Sequence, residues 1–156
     1  MTGMPGILEG MERTLRWLER CKARHEQLSD ARQTLWPIIQ GGTHDDLRLR
    51  SLEGTLARGP WTGIAIGGLS VGEPKPVMHR LLELLEPALP RETPRYLMGV
   101  GFPADLLEGI ARGVDHATHH ASDAGIRGGR HTGRVRPHRN ERRQCTEQFR
   151  YGGDLG

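Results

Sequence analysis

At 156 residues the chain can build one modest domain, and it is too short for a closed α/β enzyme barrel, which takes roughly 250 residues. Hydrophobic residues make up 35% and aromatics 4%, with mean hydropathy −0.57, so the core must be aliphatic and thin. The net charge of +3 and pI near 9.3 permit a polyanionic partner without arguing for one.

Residues Ile7 to Leu28 read as a helix, because Ile7, Leu8, Met11, Leu15, Leu18 and Cys21 recur at three- and four-residue steps opposite a Glu/Arg face. Leu35 to Ile39 is a short apolar run stopped by Gly41-Gly42, the pattern of a buried parallel strand opening into a loop, although Pro37 removes one ladder donor. Asp45 to Leu56 returns to helical spacing through Leu47, Leu49, Leu52 and Leu56. The strand Ile64 to Ile66 follows and ends at Gly67-Gly68. Pro74 to Leu89 predicts a second amphipathic helix, broken by Pro87 and Pro90. Arg95 to Met98 is a third strand, ending at Gly99. Pro103 to Gly113 closes the pattern as a short helix carrying Ala104, Leu106, Leu107 and Ile110.

Strands that alternate with helices and end in glycine are βα units on a parallel sheet. About three fit between residues 30 and 116, so the chain is either a small open α/β sheet or part of a larger barrel. Beyond Asp115 the pattern stops. Residues 117–156 hold eight Arg, seven Gly and four His with only isolated large apolar residues. Such a stretch cannot bury enough apolar surface to offset its ordering entropy, and it reads as a disordered tail, the product of a shifted reading frame. The expected division is a barrel portion over 1–116 and a tail over 117–156.

Cys21 and Cys145 are far apart, forming neither a disulfide framework nor a CxxC half-site, which fits a reducing cytoplasmic setting. No apolar run approaches the roughly 18 residues of a membrane span, and Met1 to Gly10 lacks the basic-then-apolar order of a leader. The 22 basic residues divide into 20 Arg and only Lys22 and Lys75, a skew that GC-rich coding explains as readily as phosphate recognition.

Four motifs stand out: Ile39-Gln40-Gly41-Gly42, the run Ala65 to Glu73 (AIGGLSVGE), the run Pro94 to Gly101 (PRYLMGVG), and the run Asp105 to Asp115 (DLLEGIARGVD). Singly they are weak, since a Gly-Gly after a strand is usually a simple βα turn. In this order and spacing they resemble the bacterial tRNA-guanine transglycosylase family, which exchanges guanine for a deazaguanine base in tRNA during queuosine biosynthesis. The resemblance implies a partial (β/α)8 TIM-type barrel of three to four βα units with the motifs at the strand ends. It further implies that Gln40 hydrogen-bonds the edge of the guanine or deazaguanine, that Gly67, Gly68 and Leu69 read its substituent through backbone groups, and that Met98 packs on its face. The stretch Gly99, Val100, Gly101, Phe102, Pro103, Ala104 and Asp105 would contact tRNA. The chemistry suits these residue types: a purine presents a fixed donor and acceptor array, which a short amide and glycine backbone can match under a polarizable side chain.

The resemblance fails at the reaction centre. The family's aspartate nucleophile lies three residues beyond the aspartate matched by Asp115, where this chain has Thr118, a far poorer nucleophile than a carboxylate without a base beside it. Zinc in the full-length family is held by three cysteines and a histidine, whereas this tail offers Cys145 beside His116, His119, His120, His131 and His138, so no metal is expected here. The family's upstream acid/base aspartate would lie before Met1. The expectation is therefore a fragment inactive alone, marginally stable and self-associating through unpaired strand edges. Two other readings stand beside it: a non-catalytic subunit associated with a full-length transglycosylase, and a small basic RNA-binding protein that uses the tail.

Overall fold

Among the described residues, alternation of short apolar runs with amphipathic stretches resolves into four strands and four helices. In the computed structural model the described residues are 3–28 and 32–117. Helix α1 (Met4–Leu28) precedes β1 (Ile38–Ile39), α2 (Asp45–Leu56), β2 (Ile64–Ile66) and α3 (Lys75–Leu85), the last running into a 3-10 turn at Glu86–Ala88. Then come β3 (Arg95–Leu97), α4 (Pro103–Ala111) and β4 (His116–Ala117). The four strands form one sheet in the order β1-β2-β3-β4, every neighbouring pair parallel. Sequential parallel strands joined by helices are the build of a (β/α)8-type barrel, of which this is a part.

Register divides the sheet into two faces. The row Ile39, Ile66, Leu97 and Ala117 turns toward the helices. There it meets Leu52 of α2 and Met78, Leu81, Leu82 and Leu85 of α3, all buried. Each such aliphatic side chain contributes about 1.5–3 kcal/mol when fully removed from water, so this layer is the main source of stability. The opposite row, Ile38, Ala65, Tyr96 and His116, occupies the face that a closed barrel turns inward. Ile38, Tyr96 and His116 are only half-buried. At the N-terminal end of that face Trp36 lies against Gly63, where a β-carbon would come within 2.0 Å of the indole, and its ring centroid is 5.9 Å from that of His116.

Helix α1 packs outside α2, with Met11 and Leu18 buried. Gly54 permits the approach, for a β-carbon there would stand 2.8 Å from Leu15 Cδ1. Lys22 Nζ donates to Arg58 O at 2.7 Å, and Arg58 Nε to Glu19 at 2.8 Å, closing the same contact.

The sequence reading holds for α2 and β2 to the residue and shifts elsewhere for physical reasons. Helix α1 starts at Met4 rather than Ile7, and Cys21, assigned to its apolar face, is exposed. Strand β1 is confined to Ile38–Ile39 because Pro37 has no N–H to donate, although its carbonyl still accepts from Ala65 N at 2.8 Å. The α-helical part of α3 ends at Leu85 instead of Leu89, since Pro87 cannot supply the next helical donor and the chain tightens into the 3-10 turn. In α2, Leu49 faces solvent while Arg48, Ser51 and Thr55 are buried. Helix α4 ends at Ala111, and His116–Ala117, which straddles the expected boundary between barrel and tail and carries no element in the sequence reading, forms the fourth strand. Asp115 anchors it: its N–H donates to Arg95 O at 2.9 Å and its carboxylate accepts from Arg95 N at 3.0 Å. The tail beyond residue 117 lies outside the described residues, as does Thr118.

Candidate functional site

Because the strands are parallel and adjacent, their C-terminal ends share one edge of the sheet, and three of the four motifs leave from it. Gly67 N donates to Ile39 O at 3.0 Å and Met98 N to Ile66 O at 3.0 Å, carrying the ladder one residue past the strands. Gln40 N donates to Ser51 Oγ at 2.9 Å, which ties the end of β1 to the buried side of α2. Gln40, Gly67, Gly68, Leu69 and Met98 thus lie together at this edge.

Backbone and side chain are close-fitted there. Gly68 has φ +64°, and a β-carbon on it would fall 2.7 Å from Gln40 Oε1, so the Gln40 amide lies directly on the Gly68 backbone. The Leu69 side chain is buried in the hydrophobic core, which leaves only its peptide groups for any ligand. Among the described residues the Gln40 side chain, the Gly68 N–H and both backbone groups of Leu69 make no hydrogen bond. A cluster of uncommitted donors and acceptors beside a glycine backbone is what recognition of a flat polar heterocycle requires. Met98 is half-buried beside them, next to the exposed Gly99 at φ +76°.

Behind this edge stands a residue that the sequence reading passed over. Arg48, on α2, is 0% exposed. Its Nε donates to Gly42 O at 2.7 Å, Nη1 to Gly67 O at 2.6 Å and to Ile39 O at 3.4 Å, and Nη2 to Gly68 O at 3.0 Å. One guanidinium therefore fastens the loop after β1 to the loop after β2. Burial lowers its pKa to about 10, with the Glu73 carboxylate partly opposing the shift, and it stays charged at neutral pH. The available signal was its place one turn before Ser51-Leu52 and two before Thr55. The alternating Leu-Arg-Leu-Arg of residues 47–50 hid it.

The loop after Leu69 is fixed by its own carboxylate. Glu73 accepts from the N–H groups of Ser70 and Val71, the latter at 3.0 Å, and Ser70 is held at φ 60°. The stretch Gly99 to Asp105 is less uniform than its sequence reading. Gly99, Phe102, Pro103 and Ala104 are exposed, Phe102 at 67%, and Gly101 is half-buried. Val100 belongs to the hydrophobic core, and Asp105 is buried against Lys75, whose ammonium also lies 5.9 Å from the Phe102 ring centroid. Those two residues hold the loop in place more than they present it.

Among the described residues no group of three His, Cys, Asp or Glu side chains is placed to hold a metal ion, and the exposed Cys21 on α1 has no such company. Of the tail residues weighed as metal ligands, His119, His120, His131, His138 and Cys145 lie outside the described residues. No described helix is long and apolar enough to cross a membrane.

Residues 4–122 match the family model described as queuine tRNA-ribosyltransferase. The chain is similar to the queuine tRNA-ribosyltransferases of Pseudomonas aeruginosa, at 56% identity over 105 residues, and of Azotobacter vinelandii, at 57% over 105 residues. In both cases the match covers 67% of this chain and 27% of the relative. With the protein of Haemophilus ducreyi the identity is 48% over 118 residues, 73% of this chain and 30% of that one. The chain thus spans about a quarter of the length of the curated relatives it matches. With the motif order, the parallel sheet and the family match all in agreement, this chain belongs to the queuine tRNA-ribosyltransferase family.

Proposed function

We propose that the chain carries part of the base-reading edge of a tRNA-guanine transglycosylase, whose reaction replaces guanine by a deazaguanine base in tRNA in the cytoplasm. The supporting observation is the group of unengaged polar atoms on Gln40, Gly68 and Leu69 at the ends of β1 and β2. In this reading Gln40 pairs with the purine edge, Gly67 and Gly68 admit it closely, Leu69 offers its peptide groups and Met98 covers a ring face. Gly99, Phe102, Pro103 and Ala104 meet tRNA, with Gly101 between them, while Val100 and Asp105 brace that loop. Gln40→Ala should weaken guanine binding to the chain about tenfold or more, because a purine edge loses its amide partner. Equal affinity by calorimetry in the variant and the unsubstituted chain would remove Gln40 from the site.

Base exchange by double displacement needs a carboxylate at the ribose, and the matching position holds Thr118. Purified chain should therefore incorporate no labelled guanine into tRNA. Clear turnover would show that another group attacks the anomeric carbon, and the inactive-fragment reading would be lost.

A second reading is favoured by the sheet itself. The inner face is half-buried, and among the described residues β1 and β4 each pair on one side only. Both features suit association with further barrel segments, either as a homo-oligomer or as a non-catalytic subunit beside a full-length transglycosylase. Co-purification with such an enzyme supports the subunit, and a monodisperse lone chain counts against it.

A further inference from the structure

We infer that Arg48 is the positioning residue that sets which backbone atoms the base-reading edge presents, a role that rests on the reading of that edge given above. The geometry is specific. Arg48 engages the carbonyls of Gly67 and Gly68 at 2.6 and 3.0 Å, together with Gly42 O at 2.7 Å on the neighbouring loop. A peptide plane is rigid, so holding the Gly67 carbonyl toward α2 turns the N–H of Gly68 the opposite way. Holding the Gly68 carbonyl does the same for the N–H of Leu69. Two successive donors are thereby aimed outward, and neither makes a hydrogen bond among the described residues.

A ligand at this edge must answer with acceptors, the pattern of the keto oxygen and ring nitrogen along one side of guanine. Position and charge act together. Arg48 is fully buried, and its donors end on carbonyls, so its positive field is felt through the polarised peptides whose N–H groups face the ligand. The planar fork is essential, since three carbonyls on two loops and a fourth at the end of β1 are reached from one rigid group. A lysine ammonium of similar charge is a single point on a flexible stem and cannot span them.

The test uses the full 156-residue chain and two probes, guanine and 2-aminopurine, which lacks the keto acceptor. The unsubstituted chain should prefer guanine by about tenfold, and Arg48→Lys should erase most of that preference, weakening guanine more than 2-aminopurine, which keeps only the ring-nitrogen acceptor. A loss confined to general packing would weaken both probes alike and overturn the inference. Amide resonances provide the arm that does not depend on ligand: Gly68 and Leu69 should shift and broaden in Arg48→Lys, with those of α3 unchanged. Unaltered Gly68 and Leu69 resonances would overturn the positioning role.

Should the variant fail to fold, the Arg48 Nε–H of the unsubstituted chain decides. Slow exchange with solvent and a shift on adding guanine support the inference, and fast exchange overturns it. If the unsubstituted chain binds neither probe while its Arg48 Nε–H exchanges slowly and Arg48→Lys still moves the Gly68 and Leu69 resonances, the base-binding reading falls and the backbone geometry assigned to Arg48 stands.

Discussion

Gly41→Ala should destabilise the domain by roughly 3 kcal/mol or more, combining a strained backbone with an immovable contact. Gly41 holds φ +123°, and a β-carbon there would lie 2.7 Å from Arg48 N and 2.8 Å from Leu47 C. Both neighbours are backbone of α2, so relief requires the helix to retreat from the end of β1. That retreat would drag Arg48 away from the Gly67 and Gly68 carbonyls and loosen the edge on which Gln40 lies. The adjacent residue supplies the control. At Gly42, with φ +56°, the β-carbon would meet only the Ile7 side chain at 3.2 Å, which can turn aside. Gly42→Ala should then cost about 1 kcal/mol, the left-handed penalty alone. Urea unfolding of the two variants measures the contrast, and equal losses would mean that the loop and α2 yield to the added carbon.

Leu81→Ala is the second large effect, expected at about 3 kcal/mol. Leu81 is 0% exposed and sits between α3 and the sheet within the one aliphatic layer that holds this thin domain. Its loss leaves a cavity among residues that are themselves tightly held, so little collapse can compensate. Thermal unfolding followed by circular dichroism should show a midpoint lowered by roughly 15 °C. Leu107→Ala, at a side chain of α4 that is 41% exposed, should leave the midpoint nearly unchanged. A small shift for Leu81 would indicate that α3 is not the principal cover of the strands.

Much of the architecture was legible because local chemistry and tertiary packing agree in the middle of the chain. The spacing of Leu47 and Leu52 and the run Ile64 to Ile66 each mark their elements, and α2 and β2 begin and end where the residues say. Strand β4 was not legible: His116–Ala117 has no apolar signature and exists because Asp115 and the edge of β3 offer it a partner. The candidate site was visible only as a set of motifs. Their glycines mark where backbone comes close, whereas nothing in the spacing of α2 singles out Arg48. Its burial follows from carbonyls that lie 6 to 20 residues away in sequence, and periodicity does not report on acceptors. The Gly99 to Asp105 stretch is mixed in a way its sequence does not show. Read as one contact loop, it is partly anchor, with Val100 in the core and Asp105 held by Lys75.

The indole of Trp36 occupies the foot of the inward face, pressed where Gly63 leaves room and tilted 59° to the imidazole of His116. Tryptophan emission moves to shorter wavelength as its surroundings dry, so this ring works as an internal gauge of whether anything roofs that face. With Trp17 largely in solvent and the Trp61 nitrogen tied to Thr55 O at 2.8 Å, a blue shift on mixing with another barrel segment would originate at residue 36.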